Sequence, residues 1–348
     1  MRKVLAITMG DAAGIGAEII VKSLADRALY DQCIPVVYGD RAPMEDALRF
    51  IGHRKLTLRV ITRPEEARGE AGIIELIDHD IVHTGQWHYK ENQALTGDAS
   101  FRYIVHAIRD AMERKVDAVV TAPISKEAIH LAGHNYSGHT EIFADYTHTK
   151  KYAMLLSNKD LSVIHVTTHV SMEQACHLIT KERVLEVIRL AQEGMLLLGK
   201  SHPRIGVAGF NAHCSENGLF GDQEAQAIEP AIHQAQAEGM DVTGPVPPDT
   251  VFCKAVAGVF DVVVAMYHDQ GHIPLKLCGF RMDPATNTYS AMSGINCTIG
   301  LPIIRTSVDH GTAYGKAGEG RANEESMTEA IEAAITMAEH FSYSTPAR

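Results

Sequence analysis

Short runs of apolar, mostly β-branched residues alternate along the chain with longer stretches in which apolar positions recur every three or four residues. Most of the short runs are continuously apolar, which is typical of strands buried on both faces of a parallel or mixed sheet. This alternation predicts an α/β fold. The predicted strands are Val4–Thr8, Ile34–Tyr38, Leu56–Ile61, Ile73–Ile77, Ala118–Thr121, Ala153–Leu156, Ser162–Thr167, Arg204–Ala208, Val262–Met266 and Ile303–Thr306.

The amphipathic stretches predict the helices. After Thr180, a capping residue, Val184, Leu185 and Ile188 share one face of a helix. The predicted helices are Gly16–Leu29, Pro43–Ile51, Asp98–Arg114, Lys126–Ala132, Thr140–Tyr146, Lys181–Leu198, Asp222–Glu238 and Glu325–Glu339. Between them, the segment Gly279–Asn296 is polar and has no periodicity, so we expect a long functional loop there.

The domain organisation is less clearly marked, because the chain has no internal repeat and no Pro/Ser-rich linker. The best boundaries lie near Ala122 and Gly300. They predict one domain formed by residues 1–122 with 301–348, and a second formed by residues 123–300.

Composition narrows the possible partners. The 43 acidic and 32 basic residues give a net charge of −11, which argues against non-specific nucleic-acid binding. No apolar run approaches the length of a membrane helix, and the N-terminus does not resemble a signal peptide. The six cysteines form no CxxC pair, which is typical of reduced thiols. We therefore expect a cytoplasmic protein without a nucleic-acid or membrane partner.

Nineteen histidines are an unusual number, and three of them follow predicted strands. These are His169, His213 and His268. Ligands of open α/β sheets bind outside the carboxyl ends of strands, and three imidazoles leave open positions on a divalent metal ion. The alternative is that each one is an ordinary hydrogen-bonded loop histidine.

Two further segments could bind an anion at a helix start. The glycine-rich turn Thr8–Gly16 follows a strand and opens a helix, although it does not match GxGxxG and can equally be a tight structural turn. In the segment Ser137–Glu141, His139 and Thr140 could donate hydrogen bonds to an anion, or the segment could simply cap the helix.

Cations within apolar sequence are a further candidate site. Lys276 and Arg305 both lie in such surroundings, and a buried arginine needs an anionic partner. That partner could be the nearby Asp309 or a substrate phosphate or carboxylate, with Asn296 adding a donor. The polar loop Ser307–Ala313 could enclose a nucleotide or be an ordinary surface loop.

Taken in order from Thr8 to Asn323, these segments resemble the 4-hydroxythreonine-4-phosphate dehydrogenase family. The opening GDxAGIG and the late DHGTA also resemble segments of isocitrate and isopropylmalate dehydrogenases. The resemblance therefore implies two α/β/α domains with mixed sheets around a cleft. The motifs are TMGDAAGIGAE, TAPISKEAI, GHTEIFA, TTHVS, FNAHCSENGLFG, GPVPPDTVF, AMYHDQGH and NCTIGLPIIRTSVDHGTA.

The resemblance also implies roles for individual residues. His169, His213 and His268 match the metal-binding histidines, and the third comes from the neighbouring subunit, so an obligatory homodimer is expected. The metal would be a divalent ion such as Zn, Mg, Co or Mn. The residues matching substrate contacts are His139, Thr140, Lys276, Asn296 and Arg305.

The resemblance further implies an NAD site and candidate catalytic residues. Lys276 and His139 are the candidate catalytic residues, with a metal-linked water as the alternative base. The first predicted domain would bind NAD, and the second would hold the metal and substrate and form the dimer. The residues matching the adenosine part of the NAD site are Asp309, His310, Gly311, Thr312 and Ala313.

Departures from the family pattern bear on the substrate. Ala12 and Ala17 stand where the family usually has proline, and Gly279–Gly294 is longer than the family's link between two substrate contacts. This pattern is similar to the branch that acts on 4-phospho-D-threonate or 4-phospho-D-erythronate. The implied reaction is NAD-dependent oxidation at C3, followed by decarboxylation to dihydroxyacetone phosphate.

Three alternatives remain open at this point. One is 4-phosphohydroxy-L-threonine as the substrate, in pyridoxal phosphate biosynthesis. More remote are a zinc hydrolase that uses the same histidines and a non-catalytic phosphosugar-binding protein.

Overall fold

The computed structural model describes residues 2–52, 56–284 and 288–342. Its strands are β1 (Lys3–Thr8), β2 (Cys33–Gly39), β3 (Thr57–Ile61), β4 (Ile73–Asp78), β5 (Ala118–Thr121), β6 (Ala153–Ser157), β7 (Ser162–His165), β8 (Arg204–Ala208), β9 (Asp241–Val246), β10 (Val262–Ala265), β11 (Phe280–Asp283), β12 (Thr288–Met292), β13 (Ile295–Ile299) and β14 (Ile304–Val308).

The helices lie between these strands and after the last one. They are α1 (Gly16–Ser23), α2 (Leu29–Gln32), α3 (Arg41–Ile51), α4 (Ala94–Met112), α5 (Lys126–Leu131), α6 (His139–Tyr146), α7 (Met172–Leu178), α8 (Lys181–Leu197), α9 (Glu229–Ala237), α10 (Val251–Val256), α11 (His268–Gly279) and α12 (Glu325–His340). A π-helical turn, Glu224–Ile228, leads directly into α9. No helix in these described ranges is both long enough and apolar enough to cross a membrane.

The chain divides into two compact units, which we call unit 1 (Met1–Lys150 with Leu301–Arg348) and unit 2 (Lys151–Gly300). The predicted domain boundaries lie near Ala122 and Gly300, and the two units divide after Lys150 and after Gly300. Helices α5 and α6 pack against α4, and all three belong to unit 1.

The sheet of unit 1 has the strand order β3-β4-β2-β1-β5-β14, and neighbouring strands are parallel. Its central strands are buried on both faces: Leu5, Ile7, Val36 and Val119 have no exposed surface. This burial explains why their sequences are continuously apolar. The glycine-rich turn after β1 and the polar loop after β14 both leave from carboxyl ends of parallel strands.

The strands of unit 2 have the order β13-β6-β7-β10-β8-β9. β6 is antiparallel to both β13 and β7, whereas β7, β10, β8 and β9 run parallel. The predicted α/β class with a mixed sheet is therefore confirmed. Because β7, β10 and β8 are parallel neighbours, the loops that follow them leave from one edge of the sheet.

The segment Gly279–Asn296 is not the long loop that the sequence predicts. Within its described part, β11 and β12 form an antiparallel hairpin, and the segment ends in β13. Residues 285–287, at the centre of the predicted loop, lie outside the described residues. The sequence does not predict β13, because the strand begins inside this polar segment, although its Ile295, Cys297, Thr298 and Ile299 are buried.

Helix α11 is a second element that the sequence does not predict, and it carries two of the candidate site residues. It contains Pro274, a residue that normally ends a helix, so the sequence does not predict a helix there. The helix nevertheless runs over twelve residues from His268 to Gly279. It therefore places His268 on its first turn and Lys276 near its end.

Candidate functional site

Two of the three predicted metal histidines lie together in unit 2. His169 follows β7 and His268 opens α11 after β10, and their ring centroids are 5.9 Å apart. Two imidazoles bound to one tetrahedral ion at ordinary Zn–N lengths would have centroids about 5 Å apart. The pair is therefore spaced as two ligands of one metal ion would be.

His268 also has the partner that orients a metal-binding imidazole. Its Nδ1 lies 2.7 Å from Oδ1 of Asp269, which leaves Nε2 for a ligand. Carboxylate–histidine pairs of this kind fix the tautomer and raise the basicity of metal ligands. Asp269 is a site residue that the strand-end pattern does not predict, although it is adjacent to His268 in sequence.

The third histidine, His213, is exposed on the loop after β8. It begins a run of five residues with positive φ, His213–Asn217, although none of them is glycine. Such a backbone costs about 1–2 kcal/mol per residue and persists only where surrounding contacts hold it. Within residues 2–52, 56–284 and 288–342, no three His, Cys, Asp or Glu side chains are placed to hold a metal ion together.

The loops that carry His213 and His268 are tied at their bases by Gln270. Its Oε1 accepts from the backbone N–H of Met266, and its Nε2 donates to the carbonyl of Gly209 at 2.8 Å. Gln270 is almost fully buried, so these bonds are protected from water. The start of α11 and the end of β8 are thus held together.

Two more histidines, His165 and His272, extend the cluster. The ring of His272 stacks on that of His268, with centroids 3.7 Å apart and planes at 12°. Burial lowers the pKa of His272 to about 4 and that of His165 to about 3. Both rings are therefore neutral at pH 7. Gly271 is required here, because a Cβ would lie 2.4 Å from Nε2 of His165.

The spacing of two histidines in the sequence could have indicated part of this cluster. His268 and His272 are four residues apart, which places two side chains on the same face of a helix. Pro274 argues against a helix in this segment, so the sequence alone does not show that the two side chains share a face.

In unit 1, Arg305 is 2% exposed on β14. Its Nη2 donates to the hydroxyl of Thr121 at 3.0 Å, and its guanidinium lies 5.7 Å from the ring centroid of Phe143. The buried cation is therefore fixed by neighbouring strand and helix residues, as a preformed anion site requires.

His139 lies near Arg305 at the start of α6. Burial, and secondarily the charge of Arg305, hold the pKa of His139 well below its ordinary value. Its Nε2 is buried and has no hydrogen-bond partner among the described residues. Gly138 is the N-cap of α6 and no side chain caps the helix, so neither Ser137 nor the partly exposed Thr140 is used as a cap.

Lys276 and Asn296 are the predicted substrate contacts in unit 2. The Lys276 ammonium lies 4.4 Å from the ring centroid of Phe280. Asn296 donates through Nδ2 to the sulfur of Met154, and its buried Oδ1 has no partner in the described part of the chain. An orphaned buried oxygen is costly unless a ligand or water satisfies it.

The glycine-rich turn Thr8–Gly16 and the polar loop Ser307–Ala313 meet in unit 1. The N–H of Ile15 donates to the carbonyl of Thr312 at 3.1 Å, and the Tyr314 hydroxyl donates to Asp11 at 2.7 Å. Burial raises the pKa of Asp11. Gly10, at φ 72°, has no space for a Cβ, which would lie 2.3 Å from the carbonyl oxygen of Pro123.

The remaining predicted NAD residues are part of the same loop. The N–H of Asp309 donates to Ser326 at 3.1 Å, and Nδ1 of His310 lies 3.0 Å from the carbonyl of Gly311. Ala313 has a left-handed backbone, with φ 45°. The loop is therefore shaped by local contacts around Gly311 and Ala313.

Comparison with known proteins identifies the family. The family model described as pyridoxal phosphate biosynthetic protein PdxA matches residues 31–334. This chain belongs to that family. The resemblance inferred from the motifs is thereby confirmed.

Similar proteins match over nearly the whole chain. The chain is 47% identical to a D-threonate 4-phosphate dehydrogenase from Salmonella typhimurium, over 97% of this chain and 99% of that protein. It is 45% identical to a 4-hydroxythreonine-4-phosphate dehydrogenase from Trichlorobacter lovleyi, over 96% and 97% of the two chains.

A solved structure supports the same conclusion. The crystal structure of 4-hydroxythreonine-4-phosphate dehydrogenase from Klebsiella pneumoniae matches with a TM-score of 0.83 and 45% identity. The match covers 97% of this chain and 98% of that one. The predicted fold, of the isocitrate and isopropylmalate dehydrogenase type, is confirmed.

Proposed function

We propose that this protein oxidises the C3 hydroxyl of 4-phospho-D-threonate or 4-phospho-D-erythronate. In this reaction NAD takes up the hydride, and the resulting β-keto acid loses CO2 to give dihydroxyacetone phosphate. The full-length similarity to enzymes named as dehydrogenases of phosphorylated hydroxy acids supports the coarser statement, that the protein is an oxidoreductase of this substrate class. The observation that supports the metal-dependent chemistry is the His169–His268 pair, oriented by Asp269.

These histidines suit a divalent ion such as Zn, Mg, Co or Mn. The resemblance implies that His268 comes from the neighbouring subunit. Because the rings of His169 and His268 lie 5.9 Å apart within one chain, we assign these two ligands to the same chain instead, and His213 would complete the site across a homodimer. The bound ion would polarise the C3 oxygen, and the bound nicotinamide would accept the hydride. The loop Asp309–Ala313, together with Thr8–Gly16, would hold the cofactor.

The substrate's anionic groups would be recognised mainly by Arg305. A guanidinium can make two parallel hydrogen bonds to phosphate or carboxylate, and Arg305 is already fixed by Thr121. His139 is neutral, so it would add a hydrogen bond through its unpartnered Nε2 and no second charge. Thr140 lies beside it on the first turn of α6.

Lys276 and Asn296 are the other residues that we assign to substrate binding. The unpartnered Oδ1 of Asn296 would accept from a substrate hydroxyl. Lys276 and His139 are the groups we assign to the proton of the C3 hydroxyl and to the orientation of C3. Positioning of this kind can supply much of the rate enhancement of a hydride transfer.

One further candidate substrate is 4-phosphohydroxy-L-threonine, which carries an amino group at C2. The 45% identity to an enzyme named for that substrate supports it. The fold and the proposed metal and NAD residues would be the same for both substrates. The two possibilities differ only in the group that the site meets at C2.

The experiment is a screen of 4-phosphorylated four-carbon acids, with and without the amino group, in which NADH formation is measured. We expect metal-dependent NADH and dihydroxyacetone phosphate from the hydroxy acid. If only the amino compound is oxidised, the alternative substrate is correct. If phosphate is released without NADH, the protein is a hydrolase and the proposal is wrong.

A further inference from the structure

The backbone that presents His213 is held in an unusual shape. His213, Cys214 and Ser215 have φ values of 51°, 54° and 67°, and the left-handed run continues to Asn217. Non-glycine residues adopt this conformation in succession only when other groups fix it. The group that fixes it here is the carboxylate of Glu224.

Glu224 lies on the π-helical turn before α9 and is 2% exposed. Its Oε1 accepts from the backbone N–H groups of Phe210 and Asn211, at 2.8 and 2.7 Å. Its Oε2 accepts from Nδ2 of Asn211 at 2.9 Å and from the hydroxyl of Ser215. One carboxylate thus binds the residues before His213 and the middle of the left-handed run.

The absence of a side chain at Gly209 leaves room for this carboxylate. At Gly209, a Cβ would lie 3.2 Å from Oε1 of Glu224 and 2.8 Å from Sγ of Cys214. Burial raises the pKa of Glu224, but the hydrogen bonds from Ser215 and Asn211 outweigh it, so the pKa lies below its ordinary value. The group is therefore an ionised acceptor at neutral pH, and its four donors leave it no free position for a metal ion.

We propose that Glu224 is a positioning residue for His213: its buried carboxylate fixes the left-handed turn that presents the imidazole to the metal ion. The inference rests on the proposed function, because it takes His213 as a metal ligand. It goes further by assigning the ligand's geometry to a residue eleven positions away in sequence. Groups that orient metal ligands typically contribute about 10–100-fold to metal affinity.

The test measures the affinity of the dimeric enzyme for Zn²⁺ by competition with a chromophoric chelator, and records the visible spectrum of the Co²⁺-loaded protein. The variants are Glu224→Gln, which removes the charge, and Ser215→Ala, which removes one donor. His213→Ala reports the loss of the ligand itself. Thermal unfolding of each variant shows whether it is folded.

A matched control is available in unit 1. Glu75 is 1% exposed on β4 and likewise accepts from two backbone N–H groups, those of Arg68 and Gly69. Glu75→Gln therefore makes the same chemical change in an equally buried carboxylate that does not contact the His213 loop. We expect the Zn²⁺ affinity of Glu75→Gln to stay within about twofold of wild type, because only groups near the metal ligands affect how those ligands are oriented.

We expect Glu224→Gln to weaken Zn²⁺ binding about tenfold and to alter the Co²⁺ spectrum, with a smaller effect for Ser215→Ala. Wild-type affinity in folded Glu224→Gln, together with weakened binding in His213→Ala, would overturn the inference and leave the proposed function intact. If His213→Ala binds Zn²⁺ as wild type does, His213 is not a ligand, and both proposals fail. If Glu224→Gln does not fold, Ser215→Ala decides by the same criterion.

Discussion

Arg305 in unit 1 is 2% exposed and is fixed by a strand residue and an aromatic ring, whereas His169 and His213 in unit 2 are exposed on loops. In the proposed function, the first is an anion-binding residue that contacts within one chain already hold in place. The second contains two matched imidazoles at 5.9 Å, while the third stands apart from them. We therefore propose that folding of one chain builds the anion site and that dimer assembly completes the metal site.

The two regions should therefore respond differently to substitution. Changing a buried residue of unit 1 should affect stability and substrate binding together. Changing an exposed histidine of unit 2 should affect metal binding while the fold is kept. The predictions below test this separation.

The largest effect is expected for His213→Ala. Metal-dependent NADH formation should fall by more than about 100-fold, since even groups that only orient ligands contribute about 10–100-fold to metal affinity. The melting temperature should stay close to wild type because the side chain is exposed. Chelator treatment of the wild-type enzyme should have the same effect, and full activity of a metal-free enzyme would contradict the proposed metal role.

A smaller effect is expected for Arg305→Lys. This substitution keeps the positive charge but removes the planar guanidinium, which can make two parallel hydrogen bonds to an anion. KM for the phosphorylated acid should rise about 10–100-fold, and the melting temperature should fall because a buried guanidinium is lost. Arg204→Lys is the control, since Arg204 is exposed in its pair with Asp261. An unchanged KM in folded Arg305→Lys would remove Arg305 from the substrate site.

Asp269→Asn should weaken Zn²⁺ binding about tenfold, because the carboxylate that orients His268 becomes neutral. Competition with a chelator measures this change. Asp241→Asn, an exposed position on β9, should bind as wild type does. Equal affinities of the two variants would mean that Asp269 does not orient His268.

The smallest effect at neutral pH is expected for His165→Gln. Below about pH 6.5 the unfolded chain binds a proton that the folded chain, with the His165 pKa at about 3, does not bind. The free energy of unfolding should therefore fall on acidification between these values, by up to about 1.4 kcal/mol per pH unit. Urea unfolding across this range should show a shallower slope for His165→Gln, whereas exposed His202→Gln should keep the wild-type slope.

The sequence predicts the parallel strands other than β9, because a strand buried on both faces must be continuously apolar. β9 (Asp241–Val246) is partly exposed and contains Gly244 and Pro245, so its sequence lacks that pattern. It fails at β13, which begins inside a segment that is polar over most of its length, and at α11, where Pro274 lies inside a helix. In α11 tertiary contacts decide the structure, and local propensity does not.

The candidate site can likewise be predicted only in part from the sequence. The rule that ligands lie at the carboxyl ends of strands led to His169 and His268, and the structure places the two together. Glu224 could not be found in this way, because its importance comes from hydrogen bonds to Phe210, Asn211 and Ser215 across a loop. Contacts of this kind depend on the folded backbone and leave no periodic signal.

The most direct test of the shared metal site is to combine His213→Ala chains with His268→Ala chains in one dimer. Each homodimer should be inactive. If the two histidines of one site come from different chains, every mixed dimer has one intact site, and statistical mixing should restore roughly a quarter of wild-type activity and metal binding. No recovery in verified mixed dimers would place both histidines of a site in one chain and contradict the account.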